Sequence, residues 1–489
     1  MASTHPVHPT KKEFRKIVAF SSVGTLIEWY DFFIYGSLAT VIAGQFYPQS
    51  NPTAALLYTL ATFAAGFLVR PFGARVFGFG RAGRKYAFLL PLFLMGGSTF
   101  AIGLIPGYAK IGLAAPMIVL LLRLLQGLAL GSSAPYDPGH SRGLYTSWTQ
   151  AAASLGLLLS LAVILLVRRG LDADTSRSIA KFNDWGWRIP FLVSGALMVI
   201  AVKFRTKSQE WPVSPAMPAR DGAKADWKLV LLAVFGATMG QGVVFYTGQL
   251  YIQPFLETVC QIDFDQSRTM LLLATLVATP FFILFGSWSD RIGRKWIIMT
   301  GLLLAAVSYP FLFQALKTIP DTAGRTELVA EKEIRSTVTF IENSKDLIHI
   351  SNTVNHYEGG LIVTQTEKDT LFGGSKAPMT RPVVTISRKI GGADYWKITG
   401  ILFLMVFYAT MIGGPMAAFL AELVPGGTAL PSAIGDGIGG ITPFIATLLT
   451  TLCAGHALAG LWYPVGVAAV CLIVGILFLP ARRADAGKA

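Results

Sequence analysis

The sequence has few charged residues and few cysteines for its length. Only 14% of its 489 residues are charged, whereas soluble globular chains have about one quarter. The three cysteines (Cys260, Cys453 and Cys471) form no CxxC spacing, so we expect neither disulfide nor metal chemistry. Neither an H-E-x-x-H motif nor a G-x-x-x-x-G-K-[ST] phosphate loop occurs, so nothing indicates a zinc enzyme or a transport ATPase. A G-x-S-x-G match at 139–143 follows a proline-broken loop rather than a strand, and we interpret it as chance. We expect no enzyme and no cofactor.

Long apolar runs are abundant instead, and 53% of the residues are hydrophobic. A membrane-spanning helix needs roughly 20 mainly apolar residues, and continuous runs favour helices over the alternating strands of a barrel. Twelve segments qualify: residues 17–43, 54–72, 86–105, 111–133, 146–167, 187–204, 229–256, 270–285, 296–316, 398–420, 430–452 and 458–479. The sequence therefore predicts an all-α polytopic membrane protein. It has an N-terminal six-helix bundle (1–205), a cytoplasmic linker (206–228) and a C-terminal six-helix bundle (229–489).

The positive charges indicate an orientation. Lys and Arg outnumber Asp and Glu by 41 to 27, and they concentrate in the N-terminal arm, the linker, the tail and the 2–3 and 8–9 loops. This pattern predicts that both termini are cytoplasmic, and it favours loop charge over a nucleic-acid surface. Four basic residues in the 5–6 connection disagree with this orientation: Arg168, Arg169, Arg177 and Lys181. The basic N-terminal arm leads into a helix that carries Glu28 and Asp31, so we expect no cleavable signal peptide.

Residues 318–394 are too polar and too long for a helix hairpin. Alternating apolar and polar residues at 336–341, 347–350 and 382–386 predict strands. We interpret this segment as a small extracytoplasmic β-rich insertion, with a disordered loop as the alternative.

One charged loop motif occurs twice, at Gly286–Lys295 and at Gly78–Lys85. Each copy joins the second apolar segment of its half to the third. Asp290 can pair with Arg291 or Arg294, or cap a helix N-terminus, so such contacts would latch one conformation. The first copy has no acid between Gly78 and Lys85. We therefore predict a cytoplasmic gate, unless these charges only set topology. Its predicted residues are Gly286, Asp290, Arg291, Gly293, Arg294, Lys295, Arg81, Arg84 and Lys85.

Three ionisable residues lie at membrane depth, where they are costly and mark functional sites. Glu28 and Asp31 share a helical face with Tyr35, and an acid that alternates between buried and open environments can carry a proton. We predict Glu28 and Asp31 as proton-coupling residues, with a fixed structural pair as the alternative. Arg123 lies in a leucine-rich segment and suits a substrate carboxylate, although an ion pair with Glu28 or Asp31 is the competing interpretation.

Neutral polar side chains, among them Tyr35 on the first segment, extend this predicted substrate path. Gln126 follows Arg123 on the same segment, and Gln241, Tyr246 and Gln249 lie on an otherwise apolar segment in the C-terminal half. These groups would line a polar path or, alternatively, tie helices together.

Together these stretches resemble the major facilitator superfamily through the repeated G-x-x-x-D-R-x-G-R-K loop. Within it they are similar to the metabolite:proton symporter family, which includes α-ketoglutarate, citrate, shikimate and proline/betaine carriers. The resembling stretches are 28–32, 123–127, 142–148, 185–190, 286–295 and 460–464. Three stretches depart from the family pattern: 80–81, 132–138 and 426–429.

The resemblance implies a monomeric secondary transporter in the bacterial inner membrane that works by alternating access. It implies proton symport of a small carboxylate-bearing metabolite, either an organic acid or a zwitterion, with the lipid bilayer as partner and no nucleic acid. The alternative is a non-transporting sensor or scaffold derived from such a carrier.

Overall fold

The computed structural model describes residues 11–78, 84–130, 142–208, 226–340, 347–371, 383–424, 429–453 and 455–480. We call the part up to residue 208 the N-terminal half and the part from residue 226 the C-terminal half. The N-terminal half contains α1 (Lys11–Ser37), α2 (Ala39–Phe46), α3 (Pro52–Gly78), α4 (Arg84–Leu104), a single turn at Tyr108–Ile111, α5 (Ala114–Leu130), α6 (Arg142–Gly170), α7 (Thr175–Lys181), a π-helical turn at Phe182–Gly186 and α8 (Arg188–Ser208). The C-terminal half contains α9 (Trp227–Val259), α10 (Phe264–Ile292), α11 (Arg294–Thr318), α12 (Gly392–Leu423), α13 (Ala429–Gly440), α14 (Thr442–Leu452) and α15 (Trp462–Phe478), with 3-10 turns at Val329–Glu331 and Ala459–Leu461.

The apolar composition of these helices fits a bilayer, because a helix bonds its own backbone groups where no water is present. Eight of the helical segments in the described ranges are long and apolar enough to cross a membrane. In two further pairs of neighbouring helices, the two helices meet this test only when they are counted as one span. They are bent by 64° between α1 and α2 and by 62° between residues 176–186 and 188–203. Two shorter apolar helices, Leu90–Leu104 and Ala114–Ala129, accompany them.

Two predicted segments contain breaks that the apolar pattern does not reveal. The segment at 17–43 is interrupted at Leu38, between α1 and α2. The segment at 430–452 divides at Ile441, just before Pro443 in the first turn of α14. Proline has no amide hydrogen to donate and crowds the preceding turn, so Pro443 fits the first turn of α14.

Glycines allow helices to approach closely at two places in the core. A Cβ atom on Gly127 of α5 would lie 1.8 Å from the carbonyl oxygen of Gly66 on α3. A Cβ atom on Gly440 of α13 would lie 2.2 Å from the ring of Phe67 on α3. The second contact joins the two halves, so α3 packs against α5 on one side and α13 on the other.

A four-stranded antiparallel sheet lies between α11 and α12, in the order β1 (Glu333–Phe340), β2 (Leu347–Tyr357), β3 (Leu361–Leu371) and β4 (Val383–Lys389). Strands occur at the three stretches where the alternation predicted them, and β3 is an additional strand. The amide of Asp263 donates to the carbonyl of Arg388 at 2.9 Å, and the amide of Arg388 donates to that of Gln261 at 2.7 Å. The sheet is therefore attached to the connection between α9 and α10. We call this end of the bundle the sheet end, and the opposite end, which carries Gly286–Lys295, the motif end.

Candidate functional site

Arg123 on α5 is completely buried and is held by hydrogen bonds and aromatic rings. Its Nη1 donates to Oε1 of Gln126 at 2.6 Å, and its Nη2 donates to the carbonyl of Phe32 at 3.4 Å. The guanidinium lies 3.8 Å from the ring centroid of Tyr35, and 5.0 and 5.1 Å from those of Phe32 and Phe63. The structure thus brings together the predicted residues Arg123, Gln126 and Tyr35. The Nε atom of Arg123 has no hydrogen-bond partner among the described residues.

Asp31 on α1 lies beside this cluster and is 1% exposed. Neither of its carboxyl oxygens has a hydrogen-bond partner among the residues that the structure describes. The hydroxyl of Ser194 lies near the carboxyl but donates to the carbonyl of Gly96 at 3.1 Å. The predicted ion pair between Arg123 and Asp31 is therefore not formed in this conformation. Glu28, one turn earlier on the same helix, is 7% exposed.

A chain of polar contacts connects Arg123 to the backbone of Asp31. The Nε2 atom of Gln126 donates to the hydroxyl of Thr99 at 2.7 Å. That hydroxyl contacts the carbonyls of Met95 at 3.0 Å and Asp31 at 3.4 Å. Movement of Arg123 can therefore be transmitted to α1 through Gln126 and Thr99.

The polar residues of α9 face the N-terminal half. Gln249 donates to the hydroxyl of Ser154 at 3.3 Å, and Gln253 donates to that of Ser37 at 3.4 Å. Tyr246 is fully buried, whereas Gln241 is half-buried. The helix contains π-helical turns at Val234–Thr238, Thr247–Tyr251 and Phe255–Val259, a feature frequent at functional sites.

The sequence interpretation missed an ion pair between the halves. Nη1 of Arg70 on α3 lies 2.9 Å from Oδ2 of Asp436 on α13, and the two side chains are 10% and 19% exposed. Both residues lie inside apolar helices, so the criterion that selected Arg123, charge at membrane depth, would also have selected them.

Ionic contacts close the sheet end between the halves. Arg168 of α6 pairs with Asp265 of α10 at 2.7 Å. Arg268 of α10 pairs with Glu257 at 2.5 Å and donates two hydrogen bonds to the carbonyl of Ser37, at 2.5 and 3.2 Å. Thr40 of α2 donates to Glu257 at 2.8 Å. We call these residues the sheet-end latch. Of these residues, only Arg168 stands out in the sequence, because its positive charge disagrees with the predicted orientation.

Asp290 closes the motif end. Its carboxylate accepts hydrogen bonds from the amides of Gly143 at 2.9 Å and Leu144 at 3.1 Å, in the first turn of α6. Acids are favourable at a helix N-terminus, where amides lack partners and the dipole is positive. Arg294 contacts both Asp290, at 2.9 Å, and Glu422 of α12. These contacts form the motif-end latch.

The other predicted gate residues have different surroundings. Lys295 donates to the carbonyls of Ile476 at 2.9 Å and Leu479 at 2.6 Å, at the end of α15 in its own half. Arg291 is exposed, and Gly293 has a φ of 97°, which favours glycine. A Cβ atom on Gly286 would lie 2.5 Å from Cβ of Ser147, so this glycine permits close packing of α10 on α6.

Part of the predicted gate lies outside the described residues. Arg81 is one such residue, and Arg84 and Lys85 begin α4 without described side chains. The departures from the family pattern at 80–81 and 132–138, and most of the one at 426–429, also lie outside them, as do residues 139–141 of the G-x-S-x-G match.

A cavity of about 180 Å³ lies at the sheet end, between α3, α9 and α14. Pro52, Leu56, Tyr251, Phe255 and Thr450 are among its lining residues. It is largely apolar and does not include Arg123 or Asp31.

The chain resembles known transporters in sequence. Residues 17–225 match the family model "Sugar (and other) transporter". The α-ketoglutarate permease of Escherichia coli K12 is 32% identical over 82% of this chain and 94% of its own length. The citrate-proton symporter of Salmonella typhi is 32% identical, over 67% of this chain and 77% of its own length. The chain belongs to the major facilitator superfamily, in its metabolite:proton symporter family.

Other relatives agree with this membership. A proline/betaine transporter of Salmonella typhimurium is 29% identical over 61% of this chain and 64% of its own length. The chain thus spans a little under two thirds of the length of the proline/betaine transporters that it matches. A crystal structure of a D-xylose-proton symporter superposes with a TM-score of 0.64, at 16% identity, over 96% of this chain and 98% of that chain. That likeness shows the fold. These relatives are transporters and not enzymes, and they give no support to the alternative of a sensor or scaffold.

Proposed function

We propose that this chain is a proton-coupled symporter of a small carboxylate-bearing metabolite, working by alternating access in a bacterial inner membrane. The observation that carries the proposal is the completely buried Arg123, joined through Gln126 and Thr99 to the backbone of Asp31, whose carboxyl oxygens have no hydrogen-bond partner among the described residues. The names of the relatives support the substrate class, since they include carriers of α-ketoglutarate, citrate and proline/betaine.

Asp31 is the proposed proton carrier. An isolated carboxylate in an apolar interior is very costly, and a buried acid without a partner neutralises instead. We therefore assign the protonated form of Asp31 to this conformation. When the site opens to water or the guanidinium of Arg123 turns towards it, the charged form becomes favourable and the proton leaves. Glu28, one turn away, is the second candidate.

Arg123 is the proposed substrate ligand. A guanidinium binds a carboxylate through two parallel hydrogen bonds, and Nε of Arg123 has no hydrogen-bond partner among the described residues. A substrate carboxylate bound there would take Arg123 from Gln126 and thereby disturb the chain of contacts to α1. Binding of substrate and release of the proton would then be coupled through one side chain.

The conformation fits an occluded state, because the halves contact each other at both ends. We propose that the sheet-end latch opens for loading and the motif-end latch opens for release. Eight long helices, two bent pairs and two shorter helices support twelve spans, which would put both termini on the same side. We propose that this is the cytoplasmic side, where the basic loops are expected, and that the sheet lies outside.

Substitution of Asp31 by Asn tests the proposal in proteoliposomes. Asn keeps the shape but carries no proton, so Asp31→Asn is expected to lose accumulation driven by an imposed pH gradient while retaining exchange of labelled substrate. Glu28→Gln, assayed in parallel, distinguishes the two acids. Unchanged pH-driven accumulation in both variants would contradict the mechanism, and no transport of any carboxylate by the wild-type chain would contradict the function.

A further inference from the structure

The ion pair between Arg70 and Asp436 lies in an aromatic surrounding at the junction of the halves. The guanidinium of Arg70 lies 5.4 Å from the ring centroid of Trp29 on α1. The hydroxyl of Tyr246 is close to the guanidinium but makes no hydrogen bond of normal geometry. Four helices, α1, α3, α9 and α13, therefore converge on one cation and one carboxylate.

Further rings extend this surrounding. Phe245 lies 6.2 Å from Trp29 and 5.2 Å from Tyr246, between ring centroids. Phe67 lies 4.9 Å from Tyr246. Trp29 is half-buried and the Asp436 side chain is 19% exposed, so the cluster is not fully closed.

A buried ion pair contributes little to stability, because removing two charges from water offsets most of their attraction. This pair also has to separate whenever α3 and α13 move apart. Each separation would leave one guanidinium and one carboxylate without their protein partner, which is strongly unfavourable wherever water does not reach them. A ligand that satisfies both groups would remove this cost.

The required ligand chemistry follows from the two charges. A guanidinium binds a carboxylate, and a carboxylate beside an aromatic face binds an ammonium group. An organic dianion would satisfy Arg70 but leave Asp436 unpaired and repelled. A small zwitterion would satisfy both and would replace the internal pair with no change in net charge.

We propose that Arg70 and Asp436, with Trp29 and Tyr246, form a binding subsite for a zwitterion that carries a carboxylate and an ammonium group. Arg70 takes the carboxylate, while Asp436 and the Trp29 face take the cation. This subsite is separate from the position proposed at Arg123, so a substrate with a single carboxylate would occupy the two positions in turn. In the present conformation, Asp436 occupies the position beside Arg70 where the ligand's carboxylate would bind. Arg70 in turn occupies the position beside Asp436 where the ligand's cation would bind. This inference rests on the proposed transport function and specifies its substrate class.

Counterflow in proteoliposomes tests the subsite, with labelled glycine betaine and L-proline as zwitterions and labelled citrate and 2-oxoglutarate as anions. The wild-type chain is expected to exchange at least one zwitterion. Asp436→Asn removes the charge for the ammonium group, so its KM for the zwitterion is expected to rise at least tenfold. Asp436→Glu keeps the charge and is expected to retain more affinity than Asp436→Asn.

The control is Asp394→Asn, which removes an ion pair with Arg325, 2.7 Å long, inside the C-terminal half and should leave the KM unchanged. An unchanged zwitterion KM in a monodisperse Asp436→Asn protein would overturn the subsite. If the wild-type chain accumulates only anions under an imposed pH gradient, the subsite would be overturned too, while the symporter proposal would stay intact. If Asp436→Asn does not fold, thermal stabilisation of the wild-type chain decides: stabilisation by the zwitterions supports the subsite, and stabilisation by the anions alone overturns it.

Discussion

At the scale of single residues, Arg123 depends on ring faces as much as on hydrogen bonds. Tyr35 is the nearest ring, and its hydroxyl is directed to the carbonyl of Thr59, at 3.4 Å, and to the side chains of Tyr47 and Thr62. An arginine over an aromatic face gains about 2 kcal/mol or more when it is desolvated. The ring of Tyr35, and not its hydroxyl, is therefore the part that positions the guanidinium.

A matched pair of substitutions separates the ring from the hydroxyl. Tyr35→Phe keeps the ring and is expected to leave the transport KM within about twofold of the wild type. Tyr35→Leu removes the ring, so the KM is expected to rise about tenfold, equivalent to 1.4 kcal/mol of lost stabilisation. The measurement is initial uptake rate against substrate concentration. Equal KM values for the two variants would show that the ring does not position Arg123.

At the scale of elements, α6 and α10 hold the halves together at both of their ends. Amides at the N-terminus of α6 donate hydrogen bonds to the carboxylate of Asp290 at the motif end. Arg168, near the C-terminus of α6, pairs with Asp265 of α10 at the sheet end. Gly286 lets the two helices pack closely. Movement of one helix along the other thus strains both latches.

Asp290→Asn is expected to favour opening at the motif end, because a neutral amide interacts less with the helix N-terminus. The contact is worth about 0.3–1 kcal/mol, and up to about 2 kcal/mol when partly buried, so the open population should rise severalfold. Spin labels on Trp148→Cys and Trp288→Cys, two exposed positions on α6 and α10, would report a longer distance. Asp265→Asn is the control: it weakens the opposite end and is not expected to lengthen this distance. A distance distribution unchanged by Asp290→Asn would contradict the motif-end latch.

Sequence patterns predicted elements better than contacts between them. The criterion of charge at membrane depth selected Arg123 and Asp31, because the apolar residues on either side of each one indicate in the sequence that the charge is buried at a cost. The contact of Arg123 with Gln126 is visible in the sequence, since residues three apart on a helix are neighbours. The absence of an Arg123–Asp31 pair could not be predicted, because it depends on how α1 packs against α5. Strand β3 escaped notice because Glu367, Lys368 and Asp369 obscure its alternation.

The same limit applies to the sheet-end latch. Its central acceptor is the carbonyl of Ser37, which the break at Leu38 presents to Arg268. A backbone group has no signature in a sequence. By contrast, the motif-end latch was predictable in part, because Asp290 belongs to a recognisable loop.

At the scale of the whole molecule, two of the four basic residues of the 5–6 connection, Arg168 and Lys181, have acidic partners in the folded protein, which weakens their disagreement with the proposed orientation. Arg168 is paired with Asp265 and lies 4.4 Å from the ring centroid of Phe264. Lys181 donates to Asp172 at 2.7 Å and holds the pKa of that carboxyl below its usual range. These charges have partners within the folded protein, and Arg168 lies inside α6 and not in a free loop.

Labelling of the sheet end tests the orientation. Val329→Cys, at a position 70% exposed beside the sheet, is expected to react with a membrane-impermeant maleimide in intact spheroplasts, in a background with the native cysteines replaced. Adding Arg168→Ala is expected to leave this labelling unchanged, because the other short basic loops determine topology. Labelling only after the membrane is permeabilised would reverse the proposed orientation.

The break between α1 and α2 has a practical consequence for mutational scanning. Arg268 donates its hydrogen bonds to a main-chain carbonyl oxygen, which every amino acid has. Replacing Ser37 by alanine would therefore leave this contact in place. A survey by side-chain truncation would then assign the closure to Arg268 and Glu257 alone, and it would overlook the first helix as their counterpart. Replacing the amide bond at that position by an ester, which weakens the carbonyl as an acceptor, would reveal it.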